Sequence, residues 1–296
     1  MLLLILALIS ASAFGQYSVM VTPNIVYTTG GGSPQLLDLY QPVTLGFLQP
    51  MTIKRGAMLQ PPPKPAIVFV HGGGWIGGSK EDFAAWGQYY GAQGYVCISI
   101  NYRLTNVAPW PAQVDDAQAA VRWLRKNAVA LGVDPTRIGA VGASAGGHLV
   151  LMLGTTDTLN DLDPNLHGVS SKVQAVADYS GPTDMTVPGE WDPSIWSLIQ
   201  ALAGVPWAPQ SPAYRAISPY YYLTPDDAPT LMFHGDIDNV VPVEQARRMA
   251  LLMRRTGVII KYWEFPNEGH GFTAGPFTTS VLAIDSYFKN WLRLGQ

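Results

Sequence analysis

The stretch Val141-Gly142-Ala143-Ser144-Ala145-Gly146-Gly147-His148 decides the fold, because the residues before it form a strand pattern and the residues after it form a helix pattern. Glycine stands two positions before and two positions after the serine, where a larger side chain would collide in an abrupt turn from strand to helix. Such a turn exposes the serine hydroxyl beside the free N–H groups and the positive dipole end of the helix. The stretch therefore predicts a nucleophile at Ser144.

Strand and helix patterns alternate on both sides of this turn. The predicted strands are 66–70, 95–102, 137–141, 173–179, 229–233 and 258–265, and the predicted helices are 81–93, 111–131, 242–257 and a closing helix that carries Phe277 to Leu292. A hairpin over 18–29 and 35–40 precedes them. Repeated units of this length predict an α/β fold with a mostly parallel central sheet and helices on both faces.

Two segments interrupt the alternation. Residues 42–65 are rich in proline and predict a surface excursion. Residues 185–227 stand between two predicted core strands and are rich in tryptophan and tyrosine, so we expect a small lid insertion over the active site, with ordinary loop packing as the alternative. The aromatic residues expected to contact substrate are Trp75, Trp191 and Trp196.

The composition indicates a compact enzyme rather than a disordered or nucleic-acid-binding chain. The 296 residues are 48% hydrophobic and 13% charged, with a net charge of −3. The sequence has no basic patch, so nucleic acid is not an expected partner. Cys97 is the only cysteine, which excludes an internal disulfide, and its strand-like surroundings predict a buried thiol.

The first 15 residues predict a secretory signal peptide, with 16–296 as the mature domain. Residues 1–10 are almost wholly apolar and the small residues Ala11-Ser12-Ala13 follow them. The apolar run is too short to span a bilayer, and no other stretch approaches that length, so we expect no transmembrane segment. A positive region before the run is missing, and a truncated or misassigned start is the alternative. The expected location is secreted or periplasmic.

A serine nucleophile needs a base that takes its proton, and the sequence has five histidines. His270 follows the last predicted strand, in a loop at the carboxyl edge of the sheet that can reach the serine. We predict His270 as the base. The other four, which we expect to be structural, are His71, His148, His167 and His234.

The acid that orients the histidine is expected between serine and histidine in the chain. Asp236 and Asp238 follow the predicted strand 229–233. We favour Asp238, which lies deeper in the loop, and expect Asp236 to bond turn backbone groups. A calcium loop is the weaker interpretation, because Val240 and Val241 stand where a ligand and a glycine are needed. No metal is predicted.

The glycine triplet at 72–74 predicts the donors for an oxyanion. It follows the predicted strand 66–70 and allows backbone amides to approach a substrate closely. We assign the N–H groups of Gly73, Gly74 and Ala145 as these donors. A flexible turn is the alternative, and a phosphate loop is excluded because no lysine follows at the required spacing.

Together these motifs resemble the α/β-hydrolase esterases, and more narrowly the hormone-sensitive-lipase-like and feruloyl-esterase-like carboxylesterases. The resemblance covers about residues 34–293 and rests on His71 to Trp75, Asn101-Tyr102-Arg103, Gly142 to Gly147, His234 to Asp238, and Gly269 to Phe272. It implies the α/β-hydrolase fold and a catalytic triad of Ser144, Asp238 and His270. It also assigns the oxyanion role to Gly73 and Gly74.

The expected function is hydrolysis of short-chain or aromatic carboxylic esters through an acyl-enzyme intermediate, without a cofactor. The substrate is expected to be a small-molecule or polymer-borne ester. A serine peptidase or amidase and an acyltransferase use the same groups and remain alternatives. A binding protein without activity on this scaffold is the alternative from another class. Oligomeric state is not indicated by the sequence.

Overall fold

The computed structural model describes residues 17–43 and 62–293. The predicted signal peptide and most of the predicted excursion at 42–65 lie outside the described residues. One eight-stranded sheet contains β1 (Ser18–Thr28), β2 (Gln35–Val43), β3 (Lys64–Val70), β4 (Val96–Ile100), β5 (Val133–Ala143), β6 (Ala175–Tyr179), β7 (Thr230–Gly235) and β8 (Ile260–Phe265). The strand order is β1-β2-β4-β3-β5-β6-β7-β8. β2 pairs antiparallel with β1 and β4, and the other pairs are parallel.

Helices connect the strands. They are α1 (Ala84–Ala92), α2 (Ala112–Lys126), α3 (Ala128–Leu131), α4 (Ala145–Thr155), α5 (Pro193–Ala203), α6 (Pro212–Ala216), α7 (Glu244–Thr256) and α8 (Ala274–Trp291). Short 3-10 turns occupy Lys80–Phe83, Pro164–Leu166, Pro188–Glu190 and Pro219–Tyr221. Within the part of the chain that the structure describes, no helix is both long enough and apolar enough to cross a bilayer.

The apolar sequence of β3 follows from burial on both faces of the sheet. Ala66, Val68 and Val70 pack in a core that includes residues of α2, α4 and α7. Ile67 and Phe69 point to the opposite face and pack with residues of α1 and α8. All five side chains are fully buried, as is usual for a parallel strand covered by helices on both sides. The predicted fold class is confirmed.

The helix boundaries differ from the predicted ones for local reasons. The helix predicted over 111–131 is two helices, and Asn127 between them donates a side-chain hydrogen bond to the carbonyl of Trp123 at 2.8 Å. The helix predicted over 81–93 begins with the 3-10 turn Lys80–Phe83. α7 ends before Gly257, as predicted. Gly257 adopts a φ of 89°, a value that other residues rarely adopt.

The segment 185–227 lies between β6 and β7 and is fixed to the rest of the fold. Ile199 and Leu202 of α5 are fully buried in the core on the α2 and α4 side of the sheet. Two hydrogen bonds to backbone carbonyls of this segment reinforce the packing. The backbone N–H of Trp110 donates to the carbonyl of Leu202 at 2.8 Å, and the His148 ring donates to the carbonyl of Ile217 at 2.7 Å. Its action as a lid remains a prediction.

A buried ion pair fixes the loop that follows β4. The Arg103 side chain donates to both carboxylate oxygens of Asp116 on α2, at 2.9 and 2.8 Å, and the backbone N–H of Arg103 donates to the same group at 2.8 Å. The Asp116 side chain is 2% exposed and the Arg103 side chain 9% exposed. The pair therefore joins the end of a central strand to the helix that covers it.

We predict that Asp116→Ala lowers the free energy of unfolding by about 3–5 kcal/mol, because it leaves a buried guanidinium without its partner. Urea denaturation followed by circular dichroism measures the loss. Asp226→Ala is the matched control, since Asp226 and Lys172 form an exposed pair at 3.3 Å, and we expect little change there. Equal losses in the two variants would contradict the assigned role of the buried pair.

Candidate active site

Ser144 occupies an abrupt turn between β5 and α4. Its φ is 57°, in a region that residues other than glycine rarely adopt, and its backbone N–H donates to the carbonyl of Tyr179 at 2.7 Å. A Cβ at Gly142 would lie 2.2 Å from the carbonyl oxygen of Gly146, and one at Gly146 would lie 2.0 Å from that of Val70. The two glycines are therefore required by the close approach of backbone segments.

Asp238 and His270 are joined by a hydrogen bond. His270 Nδ1 donates to Asp238 Oδ2 at 2.8 Å. The other carboxylate oxygen accepts the backbone N–H groups of Val240 and Val241 at 2.8 and 2.9 Å. The Asp238 side chain is fully buried, whereas that of His270 is 25% exposed. The carboxylate is thus enclosed, and the imidazole faces open space.

The electrostatics of Asp238 favour its charged form. Burial alone would raise its pKa, but hydrogen bonds from His234, His270 and the backbone of Val241 hold the pKa well below the usual range. The group is therefore a carboxylate at neutral pH. Asp236 accepts the backbone N–H of Asn267 at 2.6 Å, so it bonds to the turn after β8 rather than within its own turn.

Ser144 and His270 line one cavity of about 200 Å³. Its wall is largely aromatic, and the lining residues are Gly72, Phe83, Trp86, Ala143, Ser144, Tyr179, Ser180, His270, Gly271, Phe272 and Phe277. The cavity lies at the carboxyl edge of the parallel strands, where β5 and β6 end. The structure thus brings together the predicted nucleophile and the predicted base at one apolar space.

The aromatic wall comes from elements that sequence reasoning did not assign to the site. Phe83 ends the 3-10 turn before α1, and Trp86 lies in the first turn of α1. Phe277 lies on α8, and Phe272 lies in the loop after β8. The signals were available: Phe83 and Trp86 are three residues apart at a helix start after the glycine turn, and Phe272 stands two positions after His270.

The three tryptophans that were predicted to contact substrate do not line this cavity. Trp75 is 2% exposed, and its indole N–H donates to His148 Nδ1 at 3.2 Å. Trp191 is 6% exposed in the core that includes α2 and α4, and Trp196 stacks on Tyr214 at 5.5 Å between ring centroids. These side chains pack on the face of the sheet opposite to the helices that line the cavity.

The predicted oxyanion donors adjoin lining residues. Gly72 lines the cavity, and Gly73 and Gly74 follow it with φ values of 106° and 59°. A Cβ at Gly73 would lie 2.3 Å from the carbonyl oxygen of Gly77, so this turn also requires glycine. Ala145 is the first residue of α4, where a backbone N–H has no partner within the helix.

Three of the other histidines have partners that explain them without catalysis. His71 stacks on Tyr102 at 4.2 Å between centroids, and burial lowers its pKa. Burial also lowers the pKa of His148 to about 4, and its ring bonds to both Trp75 and the carbonyl of Ile217. His167 is exposed beside Asp161. Over residues 17–43 and 62–293, no three His, Cys, Asp or Glu side chains are grouped as metal ligands.

Asp178 lies directly beneath the turn that carries Ser144. Its Oδ1 accepts the backbone N–H of Gly181 at 3.0 Å, and a Cβ at Gly147 would lie 2.3 Å from the same oxygen. Within the described chain, Oδ2 is buried and has no hydrogen-bond partner. Burial raises the pKa of Asp178 to about 8, so this carboxyl is protonated at neutral pH.

We predict that Asp178→Asn stabilises the protein near pH 7 but not near pH 4. Below about pH 4 the carboxyl is protonated in both the folded and the unfolded chain. As the pH rises toward about 8, the unfolded chain releases this proton and the folded chain does not, so the wild type loses stability. Asparagine keeps the oxygen that accepts from Gly181 and does not titrate.

Urea denaturation of both proteins across this pH range measures the effect, for which we expect a gain on the order of 2–4 kcal/mol near pH 7. A difference between the two proteins that does not change with pH would contradict the protonated state assigned to Asp178.

Comparison with known proteins identifies relatives of the chain. Residues 56–253 match the BD-FAE family. Esterase LipC of Mycobacterium tuberculosis (strain ATCC 25618 / H37Rv) is 32% identical over 216 residues, which are 71% of this chain and 53% of LipC. The chain spans about half the length of the curated relatives that it matches first.

Solved structures match over nearly the whole chain. A truncated form of a carbohydrate esterase from gut microbiota has a TM-score of 0.78 and 28% identity, covering 95% of this chain and 99% of that one. The propionate-bound esterase Est2 of the planctomycete Thermogutta terrifontis has a TM-score of 0.74 and 27% identity, covering 97% and 98%. The family match spans more than half of the sequence, and the chain therefore belongs to the BD-FAE family, with the α/β-hydrolase fold.

Proposed function

We propose that this protein is a carboxylic ester hydrolase in which Ser144 is the nucleophile, His270 the general base and Asp238 the group that orients His270. The observation that carries the proposal is the single cavity lined by Ser144 and His270, with His270 bonded to a buried carboxylate at 2.8 Å. The esterase names of the similar proteins support the same reaction class.

The first step is proton transfer from serine to histidine. Because Asp238 is a carboxylate that only accepts, His270 Nδ1 holds the hydrogen, and Nε2 is then the atom that takes the proton of the Ser144 hydroxyl. The oxygen of Ser144 attacks the ester carbonyl. The negative charge of Asp238 stabilises the imidazolium that forms.

The developing oxyanion needs donors that are already in place. We assign the backbone N–H groups of Gly73, Gly74 and Ala145 to this role, each worth roughly 3–4 kcal/mol in the transition state. The imidazolium of His270 then protonates the leaving alcohol, and an acyl group remains on Ser144. Water attacks this acyl-enzyme with His270 as base again and releases the acid. No step requires a metal or an organic cofactor.

We propose esters of short-chain or aromatic acids as substrates, either as small molecules or on polymers. A cavity of about 200 Å³ with five aromatic side chains in its wall supports a small or flat acyl group. A similar structure also supports short acyl groups, since Est2 of Thermogutta terrifontis is described in propionate-bound and butyrate-bound forms. The carbohydrate esterase among them supports esters that are carried on carbohydrate.

We expect Ser144→Ala to lower kcat for nitrophenyl acetate by roughly 10⁴- to 10⁶-fold, because the variant lacks the hydroxyl that attacks the ester carbonyl. Initial rates measure the loss, and circular dichroism verifies the fold. Ser197→Ala, on the exposed side of α5, is the serine control and should keep its activity. Hydrolysis by Ser144→Ala at the wild-type rate would refute the proposed function.

The substrate class is tested with nitrophenyl esters of increasing acyl length. We expect kcat/KM to fall roughly tenfold between butyryl and octanoyl, because forcing a longer chain into a packed cavity costs on the order of 1–3 kcal/mol. Phe272→Ala removes part of the wall and should reduce this fall. If octanoyl esters react faster than butyryl esters in the wild type, the proposed short-chain preference is wrong.

A further inference from the structure

His234 is a buried histidine that the proposed mechanism does not use. It is the penultimate residue of β7, its side chain is fully buried, and it precedes the loop that carries Asp238. From the sequence it was expected to be structural, like His71 and His148. Unlike His71 and His148, His234 contacts Asp238, the group proposed to orient His270.

The contacts of His234 determine which ring nitrogen carries the hydrogen. Nε2 lies 2.8 Å from the carbonyl oxygen of Val241 and 3.3 Å from Asp238 Oδ2. Both oxygens only accept, so Nε2 must be the donor. Nδ1 is buried and has no hydrogen-bond partner within the described residues. The N–H of His234 is therefore directed at Val241 and lies beside the carboxylate.

Asp238 Oδ2 consequently has imidazole groups on two sides. His270 Nδ1 lies 2.8 Å from it, and His234 Nε2 lies 3.3 Å from it. Oδ1 is held separately by the backbone N–H groups of Val240 and Val241. His234 bonds to the carbonyl of the same Val241, so it fixes both the carboxylate and the loop segment that grips it.

We propose that His234 is a positioning residue of this site, which holds the Val241 carbonyl and Asp238 Oδ2 so that this oxygen faces His270 Nδ1. The proposal rests on the proposed function of Ser144, His270 and Asp238. His234 does not touch the reacting atoms, and it acts through the direction and charge of the carboxylate.

The charged groups around His234 are few among the described residues. Asp238 contacts it from the loop after β7. Glu264 is its neighbour on β8 and lies close enough for the two to interact electrostatically. The Glu264 carboxylate pairs with Arg247 of α7 at 2.5 Å. The charge of Glu264 is thus matched, and Asp238 is the group on which a change at His234 acts.

Three substitutions test the donor at Nε2. His234→Phe keeps a flat ring and removes both nitrogens, whereas His234→Gln places an amide N–H near the position of Nε2. His234→Asn carries an amide that ends near the position of Nδ1, and it replaces the phenylalanine variant if that variant does not fold. The measurements are kcat, KM and the pH profile of kcat/KM on nitrophenyl acetate.

We expect His234→Phe and His234→Asn to lower kcat roughly 10- to 100-fold with KM nearly unchanged, because the imidazole of His270 is held less accurately. The acidic limb of kcat/KM should move up by on the order of half a pH unit, since Oδ2 without the polar N–H of His234 beside it attracts protonated His270 more strongly. His234→Gln should keep the wild-type limb and most of kcat.

His148→Phe is the matched control, because His148 is an equally buried histidine whose ring bonds go to Trp75 and Ile217. It should lower the free energy of unfolding without moving the acidic limb. The proposal is overturned if folded His234→Phe or His234→Asn keeps the wild-type kcat and limb, or if His234→Gln is as impaired as they are. Activity retained by Ser144→Ala would instead refute the proposed function itself.

Discussion

The close approach of α4 to the sheet is the constraint on which the rest of the site depends. Backbone atoms near Gly146 come so close to the carbonyl of Val70 that a Cβ would lie 2.0 Å from it. This approach forces Ser144 into a positive φ, a conformation that costs on the order of 1–3 kcal/mol unless neighbours hold it. The bond from the Ser144 N–H to Tyr179 and the packing of Gly147 on Asp178 provide that support. The strained conformation of Ser144 is therefore stabilised by contacts among β3, β5 and β6, and not by the turn alone.

The parallel sheet explains how distant residues become neighbours. Ser144 follows β5, Asp238 follows β7 and His270 follows β8, and parallel strands all end at the same edge. Asp238 and His270 come from adjacent strands and meet directly, at 2.8 Å. Ser144 is separated from them by β6, whose last residue, Tyr179, contributes to the same cavity. The geometry of the site is thus a property of strand order.

The sequence was sufficient for those features that local chemistry dictates. Apolar runs identified the strands, and glycine spacing identified the turn at Ser144, because both effects act within a few residues. The break at Asn127 depends on one side-chain bond to Trp123, which periodicity does not contain. The aromatic residues of the cavity wall were missed for a different reason. Aromatic content indicates that a side chain is buried, but not on which face of the sheet, and the tryptophans of 185–227 pack on the face opposite to Phe83 and Phe277.

Trp75 shows how a residue in a site motif acts through the scaffold. Its indole N–H donates to His148 on α4, and the other nitrogen of that ring donates to Ile217 in the segment 185–227. Trp75 directly follows Gly73 and Gly74, so this chain of bonds ties the glycine turn to the helix that begins after Ser144. His148, which is buried and neutral, thus links the glycine turn proposed to bind the oxyanion to the helix that follows Ser144. Precise placement of donors requires such a connection, because a transition-state hydrogen bond contributes most when its donor does not have to move.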